Sequence, residues 1–153
     1  MADVKYDAQQ LAWIGAVFGD DGVELARNLP LRVGGVSNHT GIPENPEDGP
    51  LFVQYTSNGW QRPEIIIHEF AHAYHATRWP DLTAAASTTS CETFAALAEI
   101  ALVHAYPYFA MNVLRRLLIA FDAATRNRLG QFELEGYNLT LDETAKRVLT
   151  SGA

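Results

Sequence analysis

Apolar residues near the start of the chain recur every three or four positions, which predicts a helix over residues 4–18. A second, shorter helix is predicted to follow Asp20. Further along, residues 31–36 and 51–55 are rich in β-forming side chains and are bounded by glycine, proline and asparagine, so both predict strands. Residues 37–50 between them hold three prolines, two glycines and two asparagines and are predicted to form a surface loop.

The rest of the chain has the pattern of helices. Pro63 suits the first turn of a helix that is predicted to run to about Arg78. Apolar patterns predict two more helices over residues 91–106 and 108–124, and a Thr-x-x-Glu capping box at Thr140 predicts a final helix. Two or three strands followed by helices indicate an α+β fold.

The composition indicates one ordinary globular domain that spans residues 1–153. The hydrophobic fraction is 48%, and the chain has neither an internal repeat nor a low-complexity linker. Its formal charge is −7 and its 11 lysine and arginine residues form no dense run, so nucleic acid and anionic membranes are discounted as partners. The composition leaves the oligomeric state open.

Two features bear on the compartment. The start of the chain lacks the basic and apolar stretches of a signal peptide, and no apolar run approaches the length of a membrane span. A soluble protein is therefore expected. The single cysteine, Cys91, excludes an internal disulfide and fits the reducing cytoplasm, with export by a route that needs no signal peptide as the alternative.

The helix that begins at Pro63 carries a motif with metal-binding chemistry. His68, Glu69 and His72 form the pattern H-E-x-x-H. The two histidines lie one turn apart and about 40° apart around the helix axis, so both imidazoles can reach one metal ion. Zinc accepts such neutral nitrogen ligands, and the glutamate lies beside the ion, where it can act as a general base.

The alternative to a metal site is a pair of histidines that is satisfied within the protein core. Three consecutive isoleucines, residues 65–67, precede the motif and predict that its helix is buried. A solvated face is therefore not expected. Buried ionisable groups need partners, and a zinc ion would supply one.

A third zinc ligand has to come from elsewhere in the chain. Residues 91–103 are apolar nearly all round, which is typical of a buried helix, and Glu92 and Glu99 are their only charged residues. The two lie seven positions apart and so share one stripe of the helix. Two buried carboxylates need a compensating charge or donor, which a zinc–histidine site supplies. Glu92 is accordingly predicted to be the third ligand.

Other interpretations of these side chains stay open. Thr89 and Glu92 also fit a capping box, which would explain Glu92 without a metal. Glu99 could orient a ligand histidine, cover the floor of the site or be a rival third ligand. His75 shares the face of the two motif histidines and is predicted to lie at the helix end or to line the pocket.

The motif and the helix after it resemble those of the gluzincin metallopeptidases, which include thermolysin-type enzymes and the lethal-factor catalytic domain. Residues 68–72 resemble their zinc helix, and residues 92–95 resemble the Glu-x-Phe-Ala start of the second helix in lethal-factor-like members. The resemblance is confined to about residues 50–105. It implies a small zincin-like domain whose short sheet packs on the H-E-x-x-H helix and binds an extended peptide along residues 51–55 or nearby.

The chain departs from this family at two positions. Ala96 stands where thermolysin-type enzymes carry an aspartate, and no tyrosine stands shortly before Glu92, where the family often has its oxyanion-stabilising group. Four other residues are candidates for that role: Tyr55, Tyr106, Tyr108 and His75.

The resemblance implies a zinc-dependent endopeptidase that acts on peptide or protein substrates and holds one catalytic Zn²⁺. Zinc bound by His68, His72 and Glu92 would activate a water molecule, and Glu69 would take up its proton. Two other functions stay open, a non-catalytic zinc-containing domain that binds proteins and a zinc hydrolase of non-peptide amides.

Overall fold

Helix α1 (Ala8–Asn28) opens the fold of the computed structural model, which describes residues 4–80, 88–116, 131–134 and 137–140. Asp7 caps the helix: its carboxylate accepts from the Gln10 backbone N–H at 2.8 Å, and the Gln10 side chain accepts from the Asp7 N–H at 2.9 Å. Gly19 kinks the helix at a φ of 73°, which glycine adopts without steric penalty. The two predicted helices are thus confirmed as the two arms of one kinked element.

A three-stranded sheet follows α1, with strand order β1 (Leu31–Val33), β3 (Phe52–Tyr55) and β2 (His39–Gly41). The central strand β3 runs parallel to β1 and antiparallel to β2, and Val53 is paired with Leu31 on one side and Thr40 on the other. The strands predicted over residues 31–36 and 51–55 are confirmed in shorter form.

Strand β2 corrects two expectations. Residues 39–41 pair with β3, so the prediction that all of residues 37–50 form a surface loop is wrong. Because β3 has a strand on both sides, its main chain is not available to an extended peptide, so the peptide expected along residues 51–55 or nearby would have to pair with a neighbouring strand. Peptide pairing needs an edge strand, and β2 is an edge strand that contacts helix α2 (Pro63–Arg78).

Helix α2 has the bounds that the sequence predicts, and α3 (Thr88–Ala105) begins three residues before the predicted start at residue 91. A 3₁₀ turn at Pro107–Phe109 separates α3 from α4, in which residues 110–116 are described as helical. This segment confirms part of the helix predicted over residues 108–124, of which residues 108 and 109 belong to the 3₁₀ turn and residues 117–124 lie outside the described residues.

A hairpin that the sequence did not predict lies further along the chain. It consists of β4 (Gln131–Leu134) and β5 (Tyr137–Thr140), which pair antiparallel, and β5 lies against α3. Thr140, predicted to cap a helix, therefore ends a strand. The helix itself, predicted near residue 141, lies outside the described residues.

Helix α2 forms the centre of the core. Its residues from Pro63 to Ala73 are all buried, and Ile66, Ile67 and Phe70 are completely inaccessible to solvent. The sheet, α1 and α3 pack around it. The burial predicted from the three isoleucines is confirmed, so the polar side chains of α2 must find their partners inside the protein.

The described elements confirm the predicted α+β class, since a small sheet and a set of helices share one core. Helix α2, which carries His68, Glu69 and His72, lies between the sheet and the other helices. In the described part of the chain, no helix combines the length and the apolar character that crossing a membrane requires.

Candidate metal centre

Three side chains from two helices converge on one buried point. His68, His72 and Glu92 each offer one ligand atom, and these atoms all lie within 4.8 Å of one another. The Glu92 carboxylate bridges the two imidazoles, with Oε2 3.1 Å from Nε2 of His68 and Oε1 3.1 Å from Nε2 of His72. The three residues predicted as ligands are thus brought together and could hold a metal ion.

The donor set fits zinc in its chemistry. Zinc binds imidazole nitrogen and carboxylate oxygen at about 2.0–2.2 Å, commonly in a tetrahedron. Each imidazole has its Nε2 atom 3.1 Å from a different oxygen of Glu92, and one ligand atom from each of the three residues lies within 4.8 Å of the others. Three protein ligands also leave a fourth coordination position, which is the arrangement of catalytic rather than structural zinc sites.

The local structure explains the convergence. Helix α2 sets the rings of His68 and His72 at a centroid separation of 5.0 Å and an interplanar angle of 77°. Helix α3 packs against α2 and begins at Thr88, so Glu92 lies in its second turn. Thr89 is therefore inside the helix rather than at its N-cap, and the capping-box interpretation of Glu92 is wrong.

The electrostatics of the cluster favour positive charge. Burial lowers the pKa of His68, but its hydrogen bonds to Glu92 and Glu99 outweigh burial and raise that pKa from 6.5 to about 9. Burial raises the pKa of Glu92, but its hydrogen bonds to His68 and His72 outweigh burial and lower that pKa. The cluster thus attracts either a proton or a metal cation.

Glu69 lies beside the histidines and contacts strand β2. It is buried, and the Thr40 hydroxyl group donates to its backbone carbonyl oxygen at 2.7 Å and lies 3.3 Å from its Oε2 atom. Burial raises the pKa of Glu69, and the charges of His68 and His72 partly offset this rise. A buried carboxyl group with a raised pKa accepts a proton more readily than an ordinary glutamate, which suits a general base.

Glu99 lies against the other nitrogen of His68. Its Oε2 atom is 2.9 Å from Nδ1 of His68, whereas Glu92 faces Nε2. Its Oε1 atom is 2.9 Å from Nε of Arg116, in a buried ion pair. Of the roles that the sequence leaves open for Glu99, this geometry favours orientation of a ligand histidine.

His75 lies near the end of α2, as predicted, and is partly buried. Its ring stacks on Phe94 of α3 at 4.6 Å and 15°, and lies 5.9 Å from the ring of Trp79. Burial, followed by the charge of His72, lowers the pKa of His75. Its described contacts are therefore aromatic.

Tyr55 and Tyr106, two of the tyrosines considered for oxyanion stabilisation, have described contacts with residues other than the three proposed ligands. Tyr55 is fully buried in β3, where its hydroxyl group is 2.7 Å from that of Tyr6 and donates to the Ile66 carbonyl oxygen at 3.3 Å. Tyr106 packs against Phe109 at a centroid distance of 5.8 Å, just after α3, at the end of that helix remote from Glu92. The contacts of Tyr55 place it in the core.

Two residues at the site lie outside the sequence prediction. Arg116 follows the buried Val113 by three positions, so helical spacing gives a weak signal that its side chain points inward. Thr40 gives no such signal, because its segment has the composition of a loop. Both residues reach the site through tertiary contacts.

Comparisons with known proteins assign the chain to no family. Comparisons of the chain with family models, with curated proteins and with solved structures each found no match.

Proposed function

We propose that the chain is a zinc-dependent peptidase of the gluzincin type, which hydrolyses internal bonds of peptides or proteins. The observation that carries the proposal is the convergence of His68, His72 and Glu92 on one buried point. Glu69 lies in helix α2 with His68 and His72, at the motif position of a general base.

The charges of the buried cluster support a divalent cation. Glu69, Glu92 and Glu99 are all buried carboxyl groups, and Arg116 is paired with Glu99. When both imidazoles are neutral, as zinc ligands are, three ionised carboxylates and one guanidinium leave two negative charges, which a divalent cation balances. Without a metal, a proton on His68 compensates part of this charge, so a metal ion would bind in competition with that proton.

His68, His72 and Glu92 would hold Zn²⁺ through two imidazole nitrogens and a carboxylate oxygen. When bound, zinc would supply Lewis acidity for polarising the scissile carbonyl group and activating a water molecule. The Glu69 carboxylate accepts the proton that the attacking water loses and then delivers it to the leaving nitrogen. Thr40 fixes the position of Glu69 during both transfers.

The strand proposed to bind the substrate is β2. Among the described strands β2 pairs only with β3, so its other edge is free to pair with an extended peptide. Thr40 of this strand contacts Glu69. A peptide along β2 would therefore pass beside the general base and the ligand cluster.

Metal analysis and peptide cleavage, measured on the same preparations, test the proposal. The wild-type protein should contain one zinc per chain and cleave members of a peptide library, as detected by mass spectrometry. Glu69→Gln should retain zinc and lose cleavage by about 10²- to 10⁴-fold, because an amide cannot accept the proton. The matched control Glu47→Gln changes an exposed carboxylate and should retain both properties.

Other outcomes would assign a different function. Stoichiometric zinc without cleavage of any peptide favours the non-catalytic binding domain. Hydrolysis of small amides alone favours the non-peptide hydrolase. Full activity of Glu69→Gln would contradict its role as the base.

A further inference from the structure

A line of buried polar side chains leads from His68 to helix α4. Glu99 joins its two ends, with Oε2 2.9 Å from Nδ1 of His68 and Oε1 2.9 Å from Nε of Arg116. The exposed fractions of His68, Glu99 and Arg116 are 1%, 3% and 4%. Solvent therefore compensates little of their charge, and each group depends on its neighbours.

Arg116 enters this line from a helix that also carries an exposed arginine. Arg115 faces solvent, whereas Arg116 and Val113 are buried. Burying a guanidinium group is strongly unfavourable unless a paired charge compensates it. The position of Arg116 is thus coupled to that of Glu99.

We propose that Arg116 is a positioning residue of the zinc site, an inference that rests on the proposed function. Its guanidinium holds one oxygen of Glu99, and the other oxygen accepts the Nδ1–H of His68. When zinc replaces the proton on Nε2, a proton held on Nδ1 leaves the Nε2 lone pair for the metal, on the side of the ring that faces Glu92. Arg116 thereby sets both the ring orientation and the tautomer of a ligand that it does not touch.

Arginine suits this role because its planar guanidinium can fix the orientation of a carboxylate, whereas lysine offers a compact point charge. An ion pair with a merely structural role would tie α3 to α4 and affect folding alone. The two roles differ in what they predict for the ring of His68.

Two measurements on the full-length chain test the inference, zinc affinity by competition with a chelator and the ring ¹⁵N chemical shifts of His68. Arg116→Met should weaken zinc binding about 10- to 100-fold, the range for partners that orient a ligand. In the zinc-bound protein, where the His68 ring would be neutral, it should also weaken the Nδ1–H hydrogen bond that fixes the tautomer, as the ¹⁵N shift of Nδ1 reports. Arg116→Lys should recover part of both losses. The matched control Arg115→Met, at the exposed neighbour, should change neither.

If Arg116→Met fails to fold, a second set of variants tests the inference. Glu99→Gln combined with Arg116→Met removes both charges together and leaves no unpaired buried ion. If Arg116 acts through Glu99, the double variant binds zinc no more weakly than Glu99→Gln alone. Additive losses would overturn the inference, as would a folded Arg116→Met protein with the zinc affinity and His68 tautomer of Arg115→Met.

Failure of the peptidase proposal is distinguishable from failure of this one. A wild-type protein that binds zinc and cleaves no peptide removes the catalytic function alone, because affinity and ¹⁵N shifts need no turnover. A wild-type protein that binds no zinc overturns both.

Discussion

Thr40 and Glu69 meet at two points, since the Thr40 hydroxyl oxygen is 2.7 Å from the backbone carbonyl oxygen of Glu69 and 3.3 Å from its Oε2 atom. The edge strand of the sheet thus contacts the proposed general base directly. A catalytic group that is held in place needs less reorganisation to reach the transition state.

Thr40→Val should lower kcat by about 10- to 100-fold, because the isosteric side chain cannot hold the carboxylate in place. Zinc content should stay the same, since the described hydrogen bonds of Thr40 are to Glu69, which is not a proposed ligand. Steady-state kinetics and metal analysis check both expectations, with Thr40→Ser as the control that keeps the hydroxyl group. Wild-type kcat in Thr40→Val would show that this contact has no catalytic role.

Glu92→Ala should weaken zinc binding by more than the roughly 100-fold that loss of an orienting partner produces, because a direct ligand is removed. Chelator competition measures the affinity. Glu44→Ala, at an exposed glutamate, is the matched control and should bind zinc like the wild type. Unchanged affinity in Glu92→Ala would mean that another group completes the site.

Tyr55→Phe should lower the free energy of unfolding by about 1–3 kcal/mol, because it leaves buried partners without their hydrogen bonds. These partners are the Tyr6 hydroxyl group and the Ile66 carbonyl group. Urea unfolding measures the loss, and Tyr6→Phe should give a similar one. The double variant should lose less than the two single losses combined. If cleavage fell and stability did not, Tyr55 would have the oxyanion role considered from the sequence.

The pKa of His68 predicts how the stability of chelator-treated protein depends on pH. That pKa is raised from 6.5 to about 9 by Glu92 and Glu99, which outweigh burial. Because the pKa of His68 is higher in the folded protein than in the unfolded chain, its protonation stabilises the fold. This contribution is complete below pH 6.5 and is lost as the pH rises to about 9. The unfolding free energy, followed by urea titration, should therefore decline over this range.

The unfolding free energy of the control variant His68→Gln should decline less steeply over the same pH range, because the glutamine side chain binds no proton. Zinc competes with the proton on His68, so the affinity of the wild-type protein for zinc should rise across the same interval. Equal pH profiles for wild type and His68→Gln would contradict the assignment.

Residues with a local, periodic signal are predictable from the sequence. The apolar run before His68 predicts a buried helix, and helical spacing alone places His72 on the same side. Glu92 follows from the need of a buried carboxylate for a partner. In the structure, His68, His72 and Glu92 each have a ligand atom within 4.8 Å of the other two.

Residues placed by tertiary contacts are not predictable in this way. Strand β2 is too short to show alternation, and pairing with β3 overrides its loop-like composition. The residue type of Tyr55 alone suggests a place in the substrate pocket. In the structure, Val53 and Tyr55 alternate with less buried neighbours and so face the core together. Arg116 reaches Glu99 from a helix whose position the sequence does not fix.

The burial of α2 from Pro63 to Ala73 limits how an engineer could alter this protein. A new side chain anywhere in that stretch perturbs packing together with chemistry, because it has no solvent into which to turn. Libraries that seek new preferences in the proposed peptidase would therefore retain more folded members if diversity were placed at His39 of β2, since Thr40 contacts the proposed general base and a side chain at Gly41 would meet the ring of Phe52.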